Sequence, residues 1–407
     1  MWRDRSFSYI LVRHGNRRVT WIATVLSLAA CGSSSSKLTP DAIDATPTHA
    51  LAMDDVSILL PLPADPSTPV LASITGDGAP EPLVSNGLFA ALVLDPGDIA
   101  PKTGPEITYE QMQVVAVRLD LCDRDVVGPC DAGADGRLRL VLQPMYTLSG
   151  ATAAQDIAIH VFYAIPASEL GRAISQLRGL AAIQNVDPQS PLGVSPAAMA
   201  GDADYLAALR AFVLQYAKQS NLVRITLIGQ VAFAGAFEWN MRGYNRDISY
   251  TPITIPGLYP ADLQNALIAG GDITYLITPM ADTPVGFALA VDGQDFGSAT
   301  PTQQLGALAA IVQTENPLLH DNVDTQCAAC HVAEYTGTYR ANELATSLSA
   351  LPGFYQTTRN VAVQSIADTD SRVIRAFGWI ASQPVITRRV ANATAEVLDE
   401  IDARFPP

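Results

Sequence analysis

The sequence predicts an α+β fold, in which a β-rich N-terminal domain with inserted helices is followed by a small all-α domain. Short apolar runs with the alternation of strands recur between about residues 54 and 300, separated by Pro and Gly residues. Two segments with helical spacing interrupt these runs, and helical spacing prevails from Thr302 onward. Because strands and helices are segregated along the chain, we expect an antiparallel sheet rather than alternating β-α-β units.

The individual elements follow from these patterns in chain order. Strands are expected at 56–62, 112–121, 137–141, 157–165 and 223–237. Helices are expected at 167–181 and 205–217, and in the C-terminal part at 303–314, 339–348 and 387–405. In the last of these, the apolar residues form one stripe, so that helix is expected to bury one face and expose acidic residues on the other.

The first thirty residues have the pattern of a secretory leader. Five arginines between Arg3 and Arg18 precede the apolar run 19–30, which is too short for a permanent membrane span and suits a signal peptide. The run ends in Leu-Ala-Ala followed by Cys31, which resembles the bacterial lipobox. In that family the cysteine is lipidated and becomes the mature N-terminus. Ordinary secretory cleavage beside an incidental cysteine is the alternative.

The chain therefore divides into four predicted parts. We expect a lipoprotein-type signal peptide at 1–30, a lipidated cysteine with a small, polar and flexible tether at 31–53, a β-rich accessory domain at 54–300 and a helical domain at 301–407.

Cys122 and Cys130 form the first of two close cysteine pairs. Both lie between the predicted strands 112–121 and 137–141, at the tip of a predicted hairpin. Because an exported chain meets an oxidising compartment, we expect these cysteines to form a disulfide that closes the hairpin tip. A redox-active pair is the alternative, but no activating base lies near it in the sequence.

The second pair lies in residues 327–331, which read Cys-Ala-Ala-Cys-His. Thiols at Cys327 and Cys330 are three residues apart, so on one helical turn they face the same side and can reach both vinyl groups of a haem edge. His331 follows at once and can bind the iron from below. Composition alone predicts about 0.001 such patterns in a chain of this length. The motif therefore indicates covalent haem.

Three other readings of this pair remain open. A structural zinc site would use Cys327, Cys330 and His331 with His320. A thioredoxin-like redox pair or a plain disulfide would use the two cysteines alone. Neither of the thiol-only readings gives His331 a role.

Residues 327–331 resemble the attachment site of c-type cytochromes, and the resemblance covers that site alone. It implies one haem c bound through thioethers to Cys327 and Cys330, with His331 as an axial iron ligand. The helices at 303–314 and 387–405 resemble the crossing pair of a cytochrome c fold. The chain departs from the familiar class because no Met and no further His follows His331.

The sixth iron ligand must therefore come from upstream of the motif. His320 lies seven residues before Cys327, and seven extended residues span roughly 23 Å, enough to reach the other face of a porphyrin. Met280 is a second candidate, and a five-coordinate iron is the third possibility. We interpret His160 as a structural residue of a strand, and His49 as part of the tether.

The haem surroundings are predicted only in outline. Aromatic residues suited to wall a haem are Phe354, Tyr355, Phe377 and Trp379. Arginines suited to pair its propionates are Arg340, Arg359, Arg372 and Arg375. In 54–300 no catalytic constellation is evident, because Glu238, Trp239, Asp247 and Tyr250 are scattered polar residues.

Together these patterns predict a mono-haem electron-transfer lipoprotein at the periplasmic face of the cell envelope or in the outer membrane. The formal charge of −15 disfavours a nucleic-acid partner and suits a basic redox protein. A haem-dependent peroxidase-like enzyme or sensor with an open distal site is the second hypothesis. A non-haem lipoprotein with a CxxC disulfide is the third.

Overall fold

One large antiparallel sheet organises the protein, seen in a computed structural model. The structure describes residues 49–76, 78–93, 108–121, 134–233, 236–246, 251–252, 263–268, 275–278, 286–320, 327–363 and 374–407. Its strands are β1 (Ser57–Leu59), β2 (Met112–Leu121), β3 (Ala134–Leu148), β4 (Ala151–Ala154), β5 (Ala158–Pro166), β6 (Leu222–Phe233), β7 (Ala236–Asn245), β8 (Thr251–Pro252), β9 (Leu263–Ile268) and β10 (Tyr275–Thr278).

These strands join in the order β1-β2-β3-β5-β6-β7-β9-β10, with β4 added to β3 and β8 added to β7. Strands β11 (Phe377–Ile380) and β12 (Gln383–Ile386) form a separate hairpin. The helices are α1 (Met53–Val56), α2 (Asn86–Val93), α3 (Ala167–Gln184), α4 (Pro196–Met199), α5 (Ala203–Tyr216), α6 (Phe287–Val291), α7 (Gly293–Ser298), α8 (Pro301–Thr314), α9 (Cys327–Glu343) and α10 (Arg388–Arg404). Short 3₁₀ turns lie at Tyr109–Gln111, Gln219–Asn221 and Leu348–Ala350.

The two faces of the sheet differ in character. Residues paired directly across an antiparallel ladder project from the same face. On one face the row Val117, Leu140, Val161 and Ile225 is apolar, and helices α3 and α5 cover it. On the other face the row Arg118, Arg139, Phe162 and Arg224 is largely basic. We call these the apolar face and the basic face.

The C-terminal elements cover the basic face. Helix α9 packs on β9 and β10, α10 on β2, and β11 on β2 and β3. The amide of Gln143 on β3 clamps β11, because its Oε1 accepts from Trp379 N at 2.7 Å and its Nε2 donates to Trp379 O at 2.8 Å. Gly378 (φ +136°) has no side chain at this contact, where a Cβ would collide with the Gln143 amide.

Local sequence sets the helix ends and their packing. Helix α8 starts with Thr300 as N-cap, Pro301 in the first turn and a Gln303 side chain that completes the capping box. Helix α9 contains Gly337, where a Cβ would lie 2.8 Å from Ile311 Cγ2 of α8. Relative to alanine, a glycine lowers the stability of a helix by about 1 kcal/mol, but here it allows α8 and α9 to approach closely.

The α+β class with an antiparallel sheet is confirmed, whereas a separate all-α domain after residue 300 is not confirmed. Residues 46–407 form one compact unit. Val332 of α9 and Leu398 of α10 share one buried cluster with Val141 and Val161 of the sheet. The hairpin β11–β12 also lies where only helices were predicted.

Two element predictions are wrong in detail. The run 223–237 is two strands, β6 and β7, paired antiparallel from Arg224 with Asn245 to Phe233 with Ala236. The helix predicted at 339–348 is α9, which begins at Cys327 and ends at Glu343. Its apolar residues are mostly small, so its periodicity was weak in the sequence. None of the described helices is both long and apolar enough to cross a bilayer.

Two buried carboxyls in α1 make stability depend on pH. Asp54 accepts from Gly193 N, and Asp55 accepts from Ala52 N, each at 2.7 Å. Burial raises the pKa of Asp54 to about 6 and that of Asp55 to about 7, although these hydrogen bonds act in the opposite direction. Between their unfolded and folded pKa values, both groups bind more protons in the folded state, so the free energy of unfolding falls as pH rises.

We expect the variant Asp54→Asn/Asp55→Asn to remove part of this fall, on the order of 3 kcal/mol between about pH 5 and about pH 8. Urea denaturation at both pH values measures it. The variant Asp65→Asn is the matched control, because Asp65 is exposed and its pKa is lowered by Ser67, outside this pH window. An undiminished fall in the double variant would contradict the buried acids as its source.

Candidate functional site

The Cys-Ala-Ala-Cys-His motif forms the first turns of α9. Ala328, Ala329, Val332 and Ala333 are buried in the core. Cys327, Cys330 and His331 occupy positions i, i+3 and i+4, so they share the opposite face of the helix, and all three are partly exposed. The alanines and valine therefore fix the helix in the core, while the three chemically active side chains lie together on the other side of the helix, where Cys327 still packs against the core cluster.

Both thiols are free cysteines in the structure. Burial, and next the neighbouring Cys330, raise the pKa of the Cys327 thiol to about 11. Burial also raises the pKa of Cys330. Because redox-active dithiols work through a lowered pKa, this environment does not favour thiol–disulfide chemistry in the folded protein.

The imidazole of His331 is oriented by the backbone. Its Nδ1 lies 2.8 Å from the carbonyl oxygen of Ile374, so the neutral ring donates from Nδ1 and keeps Nε2 as the acceptor. Burial lowers the pKa of His331 to about 4, against the raising effect of the Ile374 contact. A neutral imidazole with a fixed tautomer and an unprotonated Nε2 is the form in which histidine binds a metal.

The segment that carries Ile374 is itself held in place. Arg375 donates from Nη2 and Nε to Asp156 Oδ1 at 2.6 and 3.1 Å, and its side chain is buried. Tyr335 of α9 donates its hydroxyl to the Arg375 carbonyl at 2.9 Å. Trp239 Nε1 lies 3.4 Å from Asp156 Oδ2. The carbonyl that orients His331 is therefore tied both to α9 and to the sheet.

The basic face of the sheet is the nearby wall of the site. His160 and Phe162 of β5 lie on this face and are partly exposed, although their neighbours Ile159 and Val161 on the apolar face are buried. The Arg139 guanidinium stacks 4.9 Å from the Phe162 ring centroid. This wall combines a flat apolar ring with cationic groups.

Positive charge exceeds negative charge at this wall. Arg118 Nε lies 2.7 Å from one oxygen of Asp120, and Arg139 Nη2 lies 2.7 Å from the other. Although burial acts to raise it, the guanidinium groups of Arg139 and Arg118 hold the pKa of Asp120 below its ordinary value. The charges of Arg139 and Arg118 also act on Cys330, so these arginines lie near the motif. One carboxylate faces two guanidinium groups, so the positive charge of this wall is only partly compensated.

This donor set fits a covalently held haem. Two thiols and an imidazole share one helix face, Phe162 offers an apolar surface, and an excess of arginine suits carboxylates. Among the described residues, no group of three or more His, Cys, Asp or Glu side chains is arranged to hold a metal ion.

The other predicted site residues divide into those outside and those inside the described part. Cys31, Cys122, Cys130, Met280 and Arg372 lie outside the described residues. The strands that flank the cysteine pair do form the predicted hairpin, β2 with β3, with Leu121 opposite Gly136. The disulfide itself stays a prediction.

His320 follows α8, where its backbone N donates to the Asn316 carbonyl at 3.1 Å, and its side chain is partly exposed. Ligation by His320 stays a prediction. His160, interpreted as purely structural, lies on the wall that faces the motif. The signal that points to it is its alternation with Phe162 on a face where arginines accumulate.

Three of the arginines proposed for propionates are engaged elsewhere, and one of them is Arg375 with its partner Asp156. Arg340 is buried, donates to the Ala290 carbonyl at 3.2 Å and pairs with Glu343 at 2.7 Å. Arg359 pairs with Asp399 and Asp402, both at 2.8 Å. Sequence reasoning missed Arg118 and Arg139, because only strand register shows that they share a face with Phe162.

The aromatic residues proposed as haem walls pack mostly into the core. Trp379 donates from Nε1 to the Leu60 carbonyl at 3.0 Å, and Phe377 lies in the same buried cluster as the sheet. Tyr355 is buried. Phe354 packs against a small cluster between α8 and α9 that includes Leu308.

Comparison of the chain with models of known protein families, with curated proteins and with solved structures finds no match.

Proposed function

We propose that this protein is a mono-haem c-type cytochrome that transfers electrons in the bacterial cell envelope. The observation that carries the proposal is the first part of α9, where Cys327, Cys330 and His331 share one face and the Ile374 carbonyl orients the imidazole. In c-type attachment the two thiols add to the vinyl groups and the imidazole binds iron. Haem attachment would give all three groups a role, whereas a disulfide or a dithiol would leave His331 without one.

The bound haem would supply one-electron redox chemistry, and the chain would supply attachment, orientation and charge. Cys327 and Cys330 would hold the porphyrin through thioethers, and His331 would bind the iron with the tautomer that the Ile374 carbonyl fixes. Arg118 and Arg139 provide cationic partners for the propionates. Electron transfer needs no substrate pocket, and the strongly acidic chain suits a basic redox partner at the surface.

The raised thiol pKa values weigh against the reading of the motif as a redox dithiol. The peroxidase-like alternative requires a five-coordinate iron, and the coordination state of the iron distinguishes it from an electron carrier. If haem does not attach, the non-haem lipoprotein is the remaining hypothesis.

Within the single compact unit, we propose that residues 301–407 are the cytochrome c-like, haem-binding part. The end of α8 and the start of α10 meet, because Arg389 donates to the Thr314 carbonyl at 3.4 Å and Asn392 to the Glu315 carbonyl at 3.0 Å. The hairpin β11–β12 departs from an all-α cytochrome, and residues 54–300 would contribute a wall of the haem site as well as an accessory sheet.

We also propose export and lipid anchoring through Cys31, with a tether after it that keeps the carrier near membrane redox partners. The tether predicted at 31–53 is shorter than expected, because Leu51 and Met53 are buried in the core and α1 begins at Met53. The periplasmic face of the envelope or the outer membrane is the proposed location. Haem attachment outside the cytoplasm agrees with this route.

Expression of the full chain with a cytochrome c maturation apparatus tests the function. We expect haem stain on the protein after denaturing electrophoresis, because thioethers survive denaturation. The stain is absent from Cys327→Ser/Cys330→Ser and retained in the matched pair Cys122→Ser/Cys130→Ser. In Cys31→Ser the stained protein moves from the membrane to the soluble fraction. Wild-type protein without haem stain would contradict the proposal.

A further inference from the structure

We propose that His160 of β5 is the second axial ligand of the haem iron, on the side opposite His331. The inference rests on the proposed haem attachment and assigns the coordination site for which the sequence favoured His320. Strand register, the contacts that hold α9 against the sheet and the charges around the His160 ring support it.

Strand register places His160 on the basic face. It pairs with Val141 on β3 and Thr226 on β6, and it lies two residues from Phe162, which pairs with Arg139. His160 is partly exposed in a strand whose alternate residues are buried. Its ring therefore projects from the face that the C-terminal elements cover, rather than into the apolar core beneath α3 and α5.

The contacts of His331 hold its ring over the same part of the sheet. His331 bonds Ile374, whose neighbour Arg375 bonds Asp156 immediately before β5. Further along the same segment, Ala381 pairs with Ala154 through two backbone hydrogen bonds, at 2.9 and 3.0 Å. The segment that orients His331 thus runs along the chain that leads into β5, and His160 lies four residues after Asp156.

Charges near both rings support this placement. Burial, then Arg139, then His331 hold the pKa of His160 well below its ordinary value. The charge of His331 acts on His160, in agreement with the placement of both side chains over the same part of the sheet.

Two histidine ligands would complete the coordination of the iron. The proposed iron is then six-coordinate and low-spin, with a lower potential than a Met/His haem. No position would be open for peroxide or another ligand, so this coordination favours electron transfer over the peroxidase-like alternative.

The experiment uses the full chain, matured with haem, and compares His160→Ala with the matched variant His320→Ala by absorption and electron paramagnetic resonance spectra. We expect low-spin signals from the wild type and from His320→Ala, and a high-spin signal from His160→Ala. Haem staining of each variant separates loss of the ligand from loss of attachment. If the wild type carries no haem, the proposed function fails with it; stained wild type without low-spin iron overturns the His160 assignment alone.

A second variant covers the case in which His160→Ala folds poorly. His160→Met keeps a long side chain that can bind iron, and we expect it to keep low-spin iron while the reduction potential rises. The methionine–iron charge-transfer band should appear in its oxidised spectrum. A bis-histidine spectrum that persists in His160→Met but disappears in His320→Ala would overturn the assignment in favour of His320.

Discussion

Arg388→Met is expected to lower the free energy of unfolding by about 3–5 kcal/mol, because it leaves two buried carboxyls without their cation. Arg388 Nη1 donates to Glu315 at 3.2 Å and Nη2 to Glu334 at 3.3 Å. The side chains of Glu315 and Glu334 are only 1% and 2% exposed. Burial, opposed by Arg388 and reinforced by Glu334, raises the pKa of Glu315.

The same three residues join three helices. Glu315 caps the end of α8, Glu334 lies in α9, and Arg388 begins α10 and donates its backbone N to Glu334 at 2.9 Å. Removal of the guanidinium therefore weakens the junction that supports the first turns of α9, which carry Cys327, Cys330 and His331. Chemical denaturation of the purified protein measures the change, with the denaturant midpoint compared at an unchanged slope.

Arg359→Met is the matched control for this prediction. Arg359 also pairs with two carboxylates, but Asp399 and Asp402 are 52% and 45% exposed. Exposed pairs contribute about 0–1 kcal/mol, so the control should change stability little. The triple variant Arg388→Met/Glu315→Gln/Glu334→Gln removes the cation together with both buried carboxyls and should recover much of the loss. Equal effects of Arg388→Met and Arg359→Met would refute the role of burial.

Patterns local in the sequence predicted the secondary structure well. Strand 112–121 and the helices near 167–181, 205–217 and 303–314 appear as expected, because each alternates or repeats its apolar residues over a sufficient length. The α9 helix was misplaced because its alanines, glycine and polar residues carry almost no apolar periodicity. The sequence did not show that residues 301–407 share one core with the sheet, because their contacts with the sheet join residues that are distant along the chain.

Only the part of the site that is contiguous in sequence was predictable. Cys327, Cys330 and His331 are adjacent in sequence, so their chemistry is legible from the spacing alone. The Ile374 carbonyl that orients His331 lies 43 residues away. Arg118, Arg139 and His160 lie on the same face of the sheet because of strand register. A sequence pattern within one strand does not specify the register between strands that are distant along the chain. The sequence therefore directed attention to His320, the histidine closest along the chain.

Arg375→Met is the second substitution with a large expected effect, because it acts on stability and on His331 together. The buried Arg375 is an ion-pair partner of Asp156, whose side chain is 10% exposed. Loss of the cation leaves this carboxylate poorly compensated, and we expect a decrease of about 3–5 kcal/mol in the free energy of unfolding. It also frees the segment whose Ile374 carbonyl accepts from His331 Nδ1.

A positioning role and a merely structural role of Arg375 make different predictions for the matured protein. In the proposed haem protein the carbonyl bond to Nδ1 would make the imidazole a stronger donor to iron, so loosening it should raise the reduction potential. Arg375→Met/Asp156→Asn removes the buried charge and should recover stability, while the potential stays raised because the segment is still unanchored. If Arg375→Met unfolds more easily at an unchanged potential, Arg375 supports the fold alone and the orientation of His331 depends on Tyr335, whose hydroxyl also binds this segment.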